Sequence, residues 1–142
     1  MTGPVPVDAA ELVARALRAA AAGIADPVAA GLKISTQVGR GRDGGPPSRP
    51  WLLVAEDAHA WRWPAVQSAT IRLTAWHRSE HDAKHVAGLA LGLLCDRATA
   101  AATPGLLLAE PDSAPLSDVD PYTGEPLAFA TAVVTIRTPT SS

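Results

Sequence analysis

Three of the four histidines, His77, His81 and His85, recur every fourth residue. On a helix that spacing stacks imidazoles along one face, where zinc could bind with help from Glu80 or Asp82. Two features weaken the ladder. His77 falls at the end of an apparent strand, ahead of the helix. The remaining pair lacks the intervening glutamate of the metalloprotease helix motif and has no evident third ligand. The chain is therefore read as carrying no metal and no cofactor. His81 and His85 are the residues that would hold a metal if one bound, and a solvated polar helix face is the alternative.

Other reactive residue types are equally isolated. Ser68, Ser79 and Ser113 sit in no strained elbow, and nothing in the sequence orients a histidine toward them. Asp118 and Asp120 stand in a segment bounded by proline and glycine. Tyr122 and Thr123 occupy places where a calcium loop would need further oxygen ligands and a glycine. Turn chemistry is the expected role, with aspartate side chains bonding nearby amides and Gly124 taking a positive φ. The single cysteine, Cys95, lies among Leu93, Leu94 and Ala98 and reads as a buried, inert thiol. No catalytic set emerges, and the chain is read as a non-enzyme.

Two groups of residues suit contact with partners. Gly39 to Pro50, GRGRDGGPPSRP, can neither pack a core nor continue a ladder, and reads as a flexible loop. It matches no phosphate-binding fingerprint, yet Arg40, Arg42 and Arg49 put three guanidiniums on it, able to meet an acidic rim. Ordinary loop solvation is the alternative. Trp61 and Trp63 flank an arginine just before Pro64 and serve either as a lid on the core or as an interface anchor.

These residues need a scaffold, and its elements are legible. Asp8 to Ala22 reads as a helix, capped by Asp8 with Glu11 three residues on, and stapled by Val7 and Leu12. Leu12, Ala16, Ala19 and Ala20 form its narrow stripe, widened by Leu17, and Gly23 is the expected left-handed stop. Leu32 to Val38 and Trp51 to Glu56 read as strands joined in a hairpin with a long tip. Val66 to Trp76 is the clearest strand, with Ile71, Leu73 and Ala75 on its apolar face. Ser79 caps a second helix reaching about Arg97, with Ala83, Val86, Ala90, Leu93 and Leu94 inward. Gly88 and Gly92 permit a close approach to another element. Leu106 to Glu110 reads as a short strand, Pro111 to Pro126 as turns, and Leu127 to Arg137 as the last strand. Residues 138–142 read as a disordered tail.

The expected fold is α+β, a mixed and mainly antiparallel sheet packed against two helices, in one domain over residues 1–142. The 142 residues suffice for one core. That core is expected to be thin, because alanine supplies much of the 47% hydrophobic content and aromatics make up 4%. Subunit contacts would bury further surface. A net charge of −2 gives no broad basic footprint for nucleic acid. No signal peptide or membrane span is evident, so synthesis in the cytoplasm is expected.

Two stretches, TIRLTAWHRSEHDAKHVAGLALGLL (Thr70 to Leu94) and DPYTGEPLAFATAVVTIR (Asp120 to Arg137), resemble the tail terminator proteins of long-tailed, siphovirus-type bacteriophages of actinobacterial hosts. The first is a strand ending in tryptophan, then an acidic, histidine-containing helix start and an Ala/Leu-rich helix. The second is an aspartate-proline turn with glycine leading into the last strand. The resemblance implies a homo-oligomeric ring, usually hexameric, that caps the tail tube protein in the virion. It stops tube polymerisation and presents a surface to the head-side connector. DNA passes through the lumen without specific binding, and no membrane is involved. The arginine arm suits contact with tube or connector better than the lumen. A head-closure or head–tail joining neck protein is the alternative reading. A small metal-dependent enzyme using His81 and His85 and a host-encoded binding module are more distant ones.

Overall fold

The computed structural model of the chain describes residues 3–37 and 46–141. The fold is α+β, with three helices against one face of a five-stranded mixed sheet. In chain order the elements are β1 (Gly3–Pro4), α1 (Ala9–Ala21), a 3-10 turn (Pro27–Ala29), β2 (Lys33–Ser35), β3 (Trp51–Arg62) and β4 (Val66–Trp76). Then follow α2 (Glu80–Cys95), α3 (Arg97–Ala102), β5 (Leu106–Val119), β6 (Pro126–Arg137) and β7 (Thr140–Ser141).

The sheet order is β2-β3-β4-β6-β5, antiparallel throughout except where β2 runs parallel to β3. β4 and β5 point the same way with β6 between them, so α2 and α3 form the crossover of a split β-α-β unit. A crossover must lie on a sheet face, which places α2 over the strands. Alternation then decides which side chains it covers. Ala69, Ile71, Leu73 and Ala75 of β4, with Ala128, Ala130, Ala132, Val134 and Ile136 of β6, are buried toward the helices. Alanines down the middle of the sheet allow α2, itself inward through Ala83, Val86, Ala87 and Ala90, to lie close. The larger side chains, Leu17, Leu52, Val54, Leu94 and Val13, fill the flanks.

Several elements differ from their sequence reading. α1 ends without a left-handed glycine: Ala22 is still helical, its N–H reaching the Arg18 carbonyl, and Gly23 is not among the glycines with positive φ. Val13, absent from the expected stripe, is fully buried, whereas Ala19 is exposed. The strands either side of the arginine loop pair parallel, Lys33 opposite Trp51, and so are no hairpin. The hairpin partner of β3 is β4, and β3 continues to Arg62.

β5 is the largest departure. It runs fourteen residues through Pro111 and Pro115 instead of stopping at Glu110. It is an edge strand, where a missing N–H costs no ladder bond, and three register shifts absorb the misfits. The turn is confined to residues 120–125. Residues 138–141, read as a disordered tail, are paired: β7 joins β1, and Thr138 is buried with its N–H on the Ala65 carbonyl at 2.8 Å.

Candidate functional site

The two stretches that carry the family resemblance meet at one corner of the sheet. Trp76, ending β4, is 7% exposed, and its indole N–H donates to Asp120 Oδ2 at 2.8 Å. Asp120 Oδ1 accepts from the Tyr122 and Thr123 amides at 2.8 and 3.3 Å, forming the expected aspartate turn, and Gly124 takes φ +74°. Burial pushes the Asp120 carboxyl up, but the Tyr122 amide, the Trp76 indole and Thr123 together outweigh it and hold it below its ordinary value. Arg49 reaches the same corner and pairs with Glu125 of the turn. Of the three loop arginines, Arg49 is thus anchored, and Arg40 and Arg42 lie outside the described residues.

The histidine ladder is divided among local tasks. His77 donates from Nε2 to the Val28 carbonyl at 2.7 Å and accepts at Nδ1 from the Arg78 amide at 2.8 Å, so both ring nitrogens are engaged. His85 Nε2 lies 2.7 Å from Asp26 Oδ2, tying α2 to the 3-10 turn. That hydrogen bond is the main cause that lowers the Asp26 carboxyl from its ordinary value, against a smaller opposing effect of desolvation. His81 is exposed. His81 and His85 are not brought together with further donors: no group of three or more His, Cys, Asp or Glu side chains able to hold a metal occurs among the described residues.

Two of the serines, Ser79 and Ser113, have structural tasks. Ser79 accepts from the Asp82 amide as the cap of α2. Ser113 bonds the Thr131 hydroxyl at 2.8 Å and accepts from its amide, mending the ladder beside a register shift. Cys95 is half-buried, and burial first, then the Glu110 charge, raises its thiol.

A polar network that the sequence reading missed holds the first residues to the sheet. Gln67 is fully buried on the core face of β4. Its Oε1 accepts from the Val7 amide and the Thr138 hydroxyl at 2.8 and 3.2 Å. Its Nε2 donates to the Val7 carbonyl and to His59 Nε2 at 3.0 and 2.8 Å. The amide is saturated, and His59 must therefore leave Nε2 bare and carry its proton on Nδ1, 3.3 Å from Glu56 Oε2. The other Glu56 oxygen accepts from the Ala9 amide at 3.0 Å. One glutamine within a strand pattern gives no sign of this; its sequence partner lies sixty residues away.

Among the described residues no helix lies on the second sheet face. Thr70, Thr74, Thr131 and Thr135 alternate there with the core residues, beside Leu53, Val133 and Phe129, all half-buried. Arg72 spans this face, 5.6 Å over the Phe129 ring and bonded to Asp57 at 3.0 Å. Leu108 and Leu116 on the β5 edge are exposed beside it, Trp63 stands out in the β3–β4 turn, and Trp61, paired opposite Gln67, lies on the helix side of the sheet. Trp63 is 70% exposed and covers no core, whereas Trp61 is 37% exposed. A groove of about 620 Å³ separates α1 from the Ala102–Gly105 connection and the end of β6. Among the described residues no helix is long and apolar enough to cross a membrane. Neither protein-family models nor curated proteins give a match to this chain.

Proposed function

We propose that this chain is a tail terminator of a long-tailed bacteriophage. Its copies close into a ring, six being the expected number, on the end of the tail tube. The ring stops addition of tube subunits and offers the head-side connector its attachment surface. The function is binding without turnover, and DNA traverses the lumen ungripped.

The observation that carries this reading is the one-sided sheet. With the three described helices on one face, the other face and the β5 edge are left to present Leu108 and Leu116, while the β3–β4 tip presents Trp63 and part of Trp61. Such surfaces favour association, and edges accept a further strand. Ring closure needs two different complementary patches on each subunit, and the two edges of this sheet differ in sequence and shape. Support also comes from the Trp76–Asp120 bond, since it joins the two stretches that resemble the family.

The test is tube length. Purified tail tube protein, polymerised on its initiator with and without this chain, is measured by negative-stain microscopy. Tubes of arrested length with a ring at the distal end are expected. Tubes growing on unchecked, with no density from the protein at their ends, overturn the proposal.

A further inference from the structure

We infer that copies of this chain meet head to tail, the Trp63 tip of one entering a groove between α2 and β5 of the next, with Arg62 set against Asp112. This deepens the ring reading above and rests on its self-association.

The groove holds about 370 Å³, with Gly88, Leu91, Gly92 and Cys95 of α2 facing Pro111 and Pro115 of β5. Leu89 and Leu93 of α2 look toward α1 across a different hollow, so this groove lies on the outer, β5 flank. A Cβ on Gly92 would meet nothing within 4 Å. The fold of the single chain therefore asks for no glycine there, and the missing side chain leaves room for a flat ring. Proline rings beside that room suit an indole, the pairing by which aromatic clefts hold proline-rich peptides. The groove is also acidic. Asp112 stands exposed in its wall, and the Glu110 charge is felt by Cys95 within it. Neither carboxylate pairs with a cation among the described residues.

Charge selects the occupant. Among the described residues two aromatic side chains are more than half exposed, Trp63 and Tyr122. Tyr122 stands between Asp118, Asp120 and Glu125, and an acidic groove repels that segment. Trp63 instead adjoins Arg62, which is exposed and paired with no carboxylate among the described residues. Trp61 braces the turn through its indole N–H on the Pro64 carbonyl at 3.4 Å, so little order remains to be lost on docking. A copy's own tip cannot serve, because it closes β3 and β4, and β6 stands between those strands and β5. Donor and acceptor are thus different surfaces on different subunits, as a closing ring requires.

The size of the contact sets its strength. Trp63, 70% exposed, offers roughly 150 Å², from about 150–250 Å² for a whole aromatic side chain. With as much again from the groove, a single contact buries about a quarter of the ~1,200 Å² typical of a stable interface. An isolated pair of copies is therefore short-lived. Closure, in which every copy gives a tip and receives one, makes the assembly last.

Cross-linking between two full-length chains tests this. Cys95 lines the groove, so the natural chain already carries the acceptor thiol. Ala65→Cys with Cys95→Ala puts a thiol on the tip instead, and Ala25→Cys with Cys95→Ala puts one beyond the end of α1, both at exposed positions. Each is mixed with the natural chain and a short bismaleimide, and rates are corrected for each thiol's reaction with iodoacetamide. The hybrid through the tip should form about tenfold faster than the hybrid through Ala25→Cys. Trp63→Ala on the tip chain slows it about 30-fold, the scale of one interface hot spot. Arg62→Glu slows it about tenfold on the natural groove, and that penalty disappears on an Asp112→Lys groove. Asp112 accepts an exposed bond from the Thr131 hydroxyl, and melting temperatures confirm that each variant folds. No advantage of the tip thiol, a rate indifferent to Trp63, or an Arg62→Glu penalty that survives Asp112→Lys overturns the contact. Capped tubes without the hybrid would sink the contact alone, and the hybrid without capping would sink the terminator reading alone.

Discussion

Asp120 ties the end of β4 to the turn before β6, because three N–H groups converge on its carboxylate. Replacing it with alanine leaves a buried indole N–H and turn amides without an acceptor. A loss of about 1–3 kcal/mol is expected in urea unfolding at neutral pH. The same contacts set a pH dependence. The folded carboxyl ionises at lower pH than its unfolded counterpart, so its stabilisation is present above about pH 3.9 and fades as pH falls through the folded value. Asp26, lowered by His85, adds in the same direction. Stability should therefore drop on the acid side, and Asp120→Asn should flatten that slope; an unchanged slope would show the carboxylate to be idle. Cys95 has the opposite behaviour. Its raised thiol predicts alkylation by iodoacetamide that is slow at neutral pH and accelerates only above the range of a free cysteine.

Among elements, α2 shows how local sequence and tertiary packing divide their influence. Its cap and inward stripe were legible because Ser79 and the apolar spacing act within the helix itself. The glycines were legible in part: a Cβ on Gly88 would touch Pro115 at 3.5 Å, the expected approach to another element, whereas one on Gly92 would meet nothing within 4 Å. Gly92→Ala should therefore raise the stability of the isolated chain by roughly 0.5–1 kcal/mol through helix propensity. A fall would mean the backbone there needs glycine. β4 was readable because polar and apolar residues alternate strictly over the eight residues from Ser68 to Ala75. β5 was not, because proline and aspartate signal turns unless the strand is known to lie at an edge. Periodicity is also blind to direction, which is why β2 and β3 read as a hairpin while running parallel. The Gln67 network and the Trp76–Asp120 bond depend on residues 60 and 44 positions apart, and no local pattern encodes such pairs.

At the scale of the molecule, the parallel pairing of β2 and β3 bears on the arginine loop. Ser35 and Trp51 are separated by two residue rises and one strand spacing, about 8 Å. Removing Arg40 to Ser48 leaves residues 36–39 with Arg49 and Pro50, ample to bridge that gap. The shortened chain should keep a melting temperature close to that of the full chain but cap tubes less well; undiminished capping would deny the loop a part in assembly. The four tryptophans, finally, differ widely in surroundings: Trp76 is sealed at the aspartate turn, Trp51 and Trp61 are partly covered, and Trp63 is largely open to solvent. Intrinsic fluorescence therefore carries two separable signals without any added dye. Iodide, confined to solvent, should quench the red-shifted emission of the tip and lose that access once copies associate, while the blue-shifted remainder from Trp76 reports melting of the corner.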